Sequence, residues 1–449
     1  MVALTKERLA IDGGTPVVAA GEIEERWPIV EEEDIEAVVA VLRSGRLSWM
    51  NNDEIPALEA DWASYVGSRH CIAMNSGTSA LHAAVAASGV GPGDEVIVPA
   101  LSFLASATAV IHHQGLPVFV DIDPFTFNID PAAIEAQITP RTKAIVAVHL
   151  HGLPADMDPI MEIAKRHGLK VIEDMAQAQG ALYKDRRAGA LGDMAACSIM
   201  AGKNLATAGE GGLFTTNDPE IRDRADMVKM FGERLSADTP REYNATTMGW
   251  NYRFSAPLAA FTRMQLGRLD SYNARVQAGA ERLAERLEAL PGLNPPYVPL
   301  DRSHVYHHFR LRVDPAAAGL DIPTGRFRKA VQDLLAAEGV ALIEYQNRPL
   351  PGQTLFQQRQ GYGQGCPWSC GKASRDIVYR ESDYPQTLDV IRSSLLVGKR
   401  LCMASFMQPS NLERYADAFE RVFAQPDRLA DYALKLDYRE PWEMAERLW

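Results

Sequence analysis

Three things are scarce in this chain: basic charge, cysteine and uninterrupted apolar sequence. The 46 Lys and Arg against 58 Asp and Glu leave a net charge of -12, which argues against nucleic acid or an anionic membrane as the main partner. An anionic small ligand is not excluded, because a local site can oppose the global sign. The five cysteines sit at 71, 197, 366, 370 and 402, an odd and scattered set. Cys366-Pro-Trp-Ser-Cys370 has the wrong spacing for a zinc knuckle and no second pair completes one. No metal site is therefore expected, and the thiols read as reduced ones in a cytoplasmic protein. The apolar-looking stretch from Val96 to Ile111 is broken by Pro99, Ser102 and Ser106 and is too short for a membrane span. Met1-Val-Ala-Leu-Thr-Lys-Glu-Arg8 lacks the apolar core of a secretory signal. No repeat or low-complexity tract appears. Gly89-Val-Gly-Pro-Gly93 lacks the full dinucleotide fingerprint and follows a helical pattern rather than a strand. These absences leave a soluble, cytoplasmic protein.

What is present is an alternation of helical and extended patterns. With 449 residues, 47% of them hydrophobic, the chain is long enough for two or three domains. Residues 1–29 read as a lead-in segment that turns at Gly13-Gly14-Thr15-Pro16. Residues 30–255 read as a large domain. Its apolar runs, His70–Met74, Glu95–Pro99, Pro117–Asp121, Thr142–His149 and Leu169–Glu173, are separated by helical stretches such as Asp53–Tyr65 and Ser79–Ala87. Such runs indicate a mostly parallel sheet with helices on both faces, an α/β fold. From 256 the pattern becomes one long helix to about 290, then a smaller α+β domain to 449, with helices near 325–338 and 411–425 and a strand at His308–Val313. The stretch 351–385, rich in Gly, Gln, Pro and Tyr, reads as a long loop, functional or mobile.

Three segments carry candidate chemistry. Asn75-Ser76-Gly77-Thr78-Ser79 lies between a strand and a helix, where free N–H groups and the helix dipole favour a phosphate. An ordinary Ser/Thr cap has the same appearance. Val171-Ile-Glu-Asp174 delivers a carboxylate at the C-terminal end of a strand, where open α/β sheets keep their ligands; a capping aspartate reads alike. Gly202-Lys203-Asn204, followed by Gly209-Glu-Gly-Gly212, sets a lysine among glycines with few other charges. Burial would lower that lysine's pKa and make it a nucleophile able to form a Schiff base, although a surface lysine is the default for any single one. Taken together, a phosphate cradle, an acid and a lysine at successive strand ends are what pyridoxal phosphate requires.

With those residues, the chain resembles the DegT/DnrJ/StrS sugar aminotransferase family of fold-type I, aspartate aminotransferase-like enzymes. The resemblance runs from about residue 28 to 425. Its motifs stand here, in order, as Ser76–Leu81, Gly91–Pro99, Glu173–Ala178, Gly202-Lys203-Asn204, Gly209–Gly212 and Gly249-Trp-Asn251-Tyr-Arg253. The resemblance implies pyridoxal 5'-phosphate held as a Schiff base on Lys203, with Asp174 paired to the ring nitrogen and Gln177 near the ring's 3-oxygen. It implies phosphate contacts from Gly77, Thr78 and Ser198, and Phe103 stacked on the ring, where a buried core phenylalanine is the plain alternative. Asn251 matches a phosphate ligand given by the neighbouring subunit, so a homodimer with shared active sites is implied. Met175, Cys197 and Ile199-Met200 depart from the family pattern without removing a reacting group, which leaves the substrate open.

The implied activity is transfer of an amino group from glutamate or glutamine to a keto-sugar or keto-cyclitol, in secondary-metabolite biosynthesis. Dehydration, oxidation or epimerisation on the same cofactor is the alternative. Relatives that dehydrate deoxysugars carry histidine where this chain has Lys203. A degenerate, non-catalytic site is a further alternative, which the presence of every expected reacting group opposes. His304-Val-Tyr306-His307-His308 would begin the small domain's sheet and face the cleft or its own core. Leu9–Pro16 resembles the lead-in of members that act on keto-cyclitols.

Overall fold

The computed structural model describes residues 7–23, 26–235, 240–370, 372, 377–398 and 402–443, with the side chains of 402 and 403 outside that description. Among the described residues thirteen strands form three sheets. In chain order they are β1 His70–Met74, β2 Glu95–Pro99, β3 Leu116–Val120, β4 Thr142–Val148, β5 Lys170–Asp174, β6 Leu182–Tyr183, β7 Arg186–Arg187, β8 Met194–Ser198, β9 Gly212–Thr216, β10 Leu293–Asn294, β11 Arg310–Val313, β12 Leu342–Ile343 and β13 Ser394–Val397. The large sheet has the order β1-β9-β8-β5-β4-β2-β3. Only β9 runs against its neighbours β1 and β8; the remaining pairs are parallel. Every residue of β2 and β3 is buried, because helices cover both faces of the sheet. The mixed α/β class expected from the apolar runs is therefore present. So are the runs themselves, with their ends moved by a residue or so.

The small sheet, β10-β11-β13-β12, is antiparallel throughout. The helix Ala256–Glu288 joins the two sheets, and its 33 residues span about 50 Å at about 1.5 Å per residue. Its first half puts Ala259 and Leu269 into the core under the large sheet, and its second half puts Val276, Ala280, Leu283 and Leu287 into the small-domain core. One rigid rod thus belongs to both cores and fixes their separation.

Neither core follows chain order. Leu9, Val18 and Trp27, from the lead-in, are buried in the small-domain core. Buried Glu338 ties them down, accepting from the N–H groups of Ala10 (2.8 Å) and Val17 (3.0 Å) and pairing with Arg421. The 351–385 stretch, read above as a loop, contains the helix Thr354–Gln358 and packs against the outer edge of the large sheet. Phe356, Tyr379 and Tyr384 surround Phe119 of β3 at ring distances of 5.0 to 6.4 Å. Residues 371 and 373–376 of this strap lie outside the described residues. Among the described residues no helix is long and apolar enough to cross a membrane.

Candidate active site

The C-terminal ends of the parallel strands open into a cavity of about 880 Å³, closed on its far side by the small domain. Its wall includes Gly77 and Thr78 after β1, Phe103 after β2, Asp174 and Gln177 at and beyond β5, and Ser198 and Lys203 at and beyond β8. Seven of the eight residues singled out from sequence therefore meet in one place. This is where an open α/β sheet collects ligand-binding loops.

The helix Gly77–Ala87 presents its N-terminus to the cavity. Ser76 caps it, its Oγ accepting from the Ser79 N–H at 3.1 Å. That leaves the Gly77 and Thr78 N–H groups, which no carbonyl of their own helix can reach. Gly77 is required by close approach: a Cβ there would lie 2.6 Å from the Ser198 Cβ. The same crowding brings the Ser198 hydroxyl beside the helix end, so N–H and O–H donors converge on one spot.

Asp174 is 5% exposed, and burial pushes its carboxyl above the ordinary range, opposed by hydrogen bonds from Ser106 and the Ala176 N–H. Ser106 Oγ donates its single proton to Asp174 Oδ2 at 2.6 Å, so at 2.7 Å it accepts from Ser102 Oγ. Both serines interrupt the apolar stretch from Val96 to Ile111. Their spacing of four, at the start of the helix Ala105–His112, is the signal that would have found them.

Behind Asp174, the fully buried Glu173 accepts from the N–H groups of Gly189, Leu191 and Gly192 at 2.7 to 2.8 Å and meets His149 Nε2 at 3.0 Å. His149 Nδ1 accepts from the Ala155 N–H, so Nε2 carries the proton and donates. This rigid base holds the end of β5.

Lys203 follows β8. Burial lowers its pKa, with Asp174 pulling the other way. Its ammonium makes no ion pair or hydrogen bond among the described residues, whereas its carbonyl accepts from the Trp27 indole at 3.0 Å. The lead-in segment thereby braces the lysine loop, a contact with no local signature in sequence.

Gln177 Oε1 accepts from the His151 N–H at 2.7 Å, which turns its amide N–H groups toward Tyr345. Tyr345, from the small domain, lines the cavity and was not anticipated. His307 and His308 also line it, and burial holds both imidazoles neutral, His308 at a pKa of about 3. His304 faces its own core instead, its Nδ1 accepting from the Tyr306 N–H. Phe103 is 61% exposed on the cavity wall, so the core alternative does not hold. Of the residues that depart from the family pattern, Met200 lines the cavity, while Met175, Cys197 and Ile199 are buried away from it.

Asn251 lies outside this chain's cavity, exposed on the surface. Its Oδ1 accepts from Arg253 Nε at 2.8 Å, leaving its amide N–H groups as donors. Nearby, Tyr243 and Met248 are 76% and 71% exposed.

The model of the DegT/DnrJ/EryC1/StrS aminotransferase family matches residues 28–379. The dTDP-3-amino-3,4,6-trideoxy-alpha-D-glucose transaminase of Streptomyces venezuelae is 40% identical over 300 residues, 67% of this chain and 77% of the relative. The L-glutamine:2-deoxy-scyllo-inosose aminotransferase of Streptoalloteichus tenebrarius is 39% identical over 331 residues, 70% of this chain and 77% of the relative. DesV of S. venezuelae, solved in complex with a ketimine intermediate, superposes with a TM-score of 0.74 at 32% identity, covering 92% of this chain and 100% of DesV. Enzymes of this family and the solved structures of this fold are pyridoxal-phosphate-dependent, fold-type I aminotransferases. This chain belongs to the DegT/DnrJ/EryC1/StrS aminotransferase family.

Proposed function

We propose that this aminotransferase binds pyridoxal 5'-phosphate through Lys203 and moves an amino group from glutamate or glutamine to a keto-sugar or keto-cyclitol. The observation that carries the reading is the half-buried Lys203, its Nζ unpaired among the described residues, sharing one cavity with the buried Asp174. The donor set fits the group. Gly77, Thr78 and Ser198 offer uncharged donors to a phosphate, Asp174 a carboxylate to a ring nitrogen, Gln177 an amide near the ring, and Phe103 an exposed aromatic face. When bound, the cofactor supplies an electron sink for the carbanion formed on deprotonation of the amino donor.

The protein's own groups do the rest. The hydrogen bonds from Ser106 and the Ala176 N–H hold Asp174 in place and oppose the burial that raises its pKa, so that its carboxylate would be offered to a ring nitrogen. Lys203 Nζ, its pKa lowered by burial, takes the proton from the donor's α-carbon, and in the second half-reaction returns one to the acceptor's former carbonyl carbon. His307, His308 and Tyr345, uncharged and contributed by the small domain, orient hydroxyl groups and keep bulk water off Lys203.

The Phe103→Ala variant is expected to hold the cofactor roughly 2- to 10-fold less tightly, the worth of one aromatic stack, in a fluorescence titration. The rate at which Lys203 captures cofactor should rise with pH along a limb below the ordinary lysine range. In Asp174→Asn, which removes the charge that opposes the shift, that limb should move lower still. Stopped-flow absorbance across pH checks both signs.

A homodimer with shared sites completes the reading. Asn251 is exposed, as are the large side chains of Tyr243 and Met248 earlier in the same segment, which leaves it free to reach a neighbouring subunit. Sedimentation at micromolar concentration should show a dimer, and a monomer retaining full activity would contradict the shared site.

Two relatives bear on the acceptor, one named for a dTDP-linked amino sugar and one for 2-deoxy-scyllo-inosose. The deciding experiment converts the enzyme to its amino form with glutamate or glutamine. It then offers keto-cyclitols, nucleotide-linked keto-sugars and simple keto acids, following the cofactor absorbance. Recovery with a cyclic polyhydroxy ketone supports the reading, and recovery with simple keto acids alone contradicts it. A protein that forms no amino form with either donor would instead favour the alternative chemistry.

A further inference from the structure

The strap over β3 holds a second feature, outside the cavity. Cys366 and Cys370 place their Sγ atoms 2.6 Å apart on one tight turn. Backbone bonds set that turn before any sulfur chemistry. The Tyr362 N–H donates to the Cys366 carbonyl at 3.0 Å, the Ser369 N–H to the Gly365 carbonyl at 2.8 Å, and the Cys370 N–H to the Pro367 carbonyl at 3.3 Å. Gly361, at φ +48°, is obligatory: a Cβ there would lie 1.9 Å from the Cys366 carbonyl oxygen. Trp368, between the two cysteines, donates its indole N–H to the Tyr379 hydroxyl at 2.9 Å, and that hydroxyl donates to the Pro117 carbonyl of β3 at 2.8 Å. The turn therefore sits on the open edge of the large sheet, the place where an unpaired strand most needs cover.

The other described cysteines differ. Cys197 is buried with its thiol pushed up to about 12, and burial raises Cys71 as well. Cys366 and Cys370 are half-buried and within reach of a small reagent.

We propose that Cys366 and Cys370 are a redox modification site, oxidised to an intramolecular disulfide by a low-molecular-weight disulfide such as oxidised glutathione, and that the bond fastens the turn that rests against the edge of β3. One thiolate attacks the reagent's S–S bond, forming a mixed disulfide and releasing one glutathione thiolate. The second thiolate attacks the bound sulfur, forming the Cys366–Cys370 bond and releasing the other glutathione. The protein loses two protons and two electrons, and the reagent gains them as two thiols. A hydrogen bond with Cys370 holds the Cys366 thiol above its ordinary range, so the exchange accelerates as the pH rises.

The test incubates the full-length holoenzyme with oxidised glutathione, quenches with acid and analyses intact and digested protein by mass spectrometry. Wild type should lose the mass of two hydrogens within the fragment that spans both cysteines. Cys366→Ser and Cys370→Ser should each instead retain one glutathione on the remaining thiol, because the resolving partner is gone. A wild type that keeps glutathione adducts, or that stays at its starting mass while either variant takes one up, overturns the proposal. Hydrogen exchange separates the fastening from the chemistry. The Tyr362, Ser369 and Cys370 amides should exchange more slowly after oxidation while those of the helix Gly77–Ala87 do not change. Equal rates in both redox states overturn the fastening.

Discussion

Lys203→Ala is expected to show no turnover above background with any amino donor, and Lys203→Arg the same, with both variants still folded. The size of the effect follows from two jobs on one nitrogen. As a proton carrier between carbon atoms, a positioned base is worth about 10²–10⁴-fold. As the covalent anchor, the lysine also keeps the cofactor in the cavity between turnovers, so the losses compound. Arginine supplies a permanent positive charge and no nucleophile, since its guanidinium does not deprotonate in proteins. Fold retention follows from position: the Lys203 side chain faces a cavity and makes no ion pair or hydrogen bond among the described residues, while the bond from Trp27 goes to its carbonyl. A donor half-reaction assay, with a circular dichroism melt as the folding control, checks both halves of the expectation.

Asp174→Asn should cost about 10²–10⁴-fold in kcat/KM, the equivalent of about 3–5 kcal/mol for breaking a buried charge pair. Asparagine keeps the shape and still accepts from Ser106, so the β5 end survives. It loses the charge that keeps a ring nitrogen protonated. The signature should lie in kcat more than in KM for either substrate, because Asp174 is proposed to meet the cofactor's ring nitrogen rather than donor or acceptor. A fall in affinity with unchanged kcat would place Asp174 in substrate binding instead.

The large sheet was legible because its strands are buried on both faces, which turns them into unbroken apolar runs; β2 and β3 are wholly buried. The reversed direction of β9 left no such trace, since an antiparallel strand inside a covered sheet reads like its neighbours. The core of the site was legible for a different reason. Gly77, Asp174 and Lys203 each stand at a strand end, in segments where residue type and local geometry are tightly bound.

What sequence order concealed depends on long-range contact. Ser106 acts through Asp174, 68 residues away, and Trp27 through the Lys203 carbonyl, 176 residues away. Tyr345 reaches Gln177 from the other domain. The strap was read as a loop because its aromatic residues, Phe356, Trp368, Tyr379 and Tyr384, have no helical or alternating period. They are spaced to meet the edge of β3, a surface 230 or more residues earlier in the chain.

The most direct test of the central claim is reduction of the cofactor-loaded enzyme with borohydride, followed by peptide mapping. The expected result is a stable cofactor-derived mass on the peptide containing Lys203 and on no other, with loss of the yellow absorbance and of activity together. Modification of a different lysine, or a yellow enzyme that borohydride leaves unmodified and active, would contradict it.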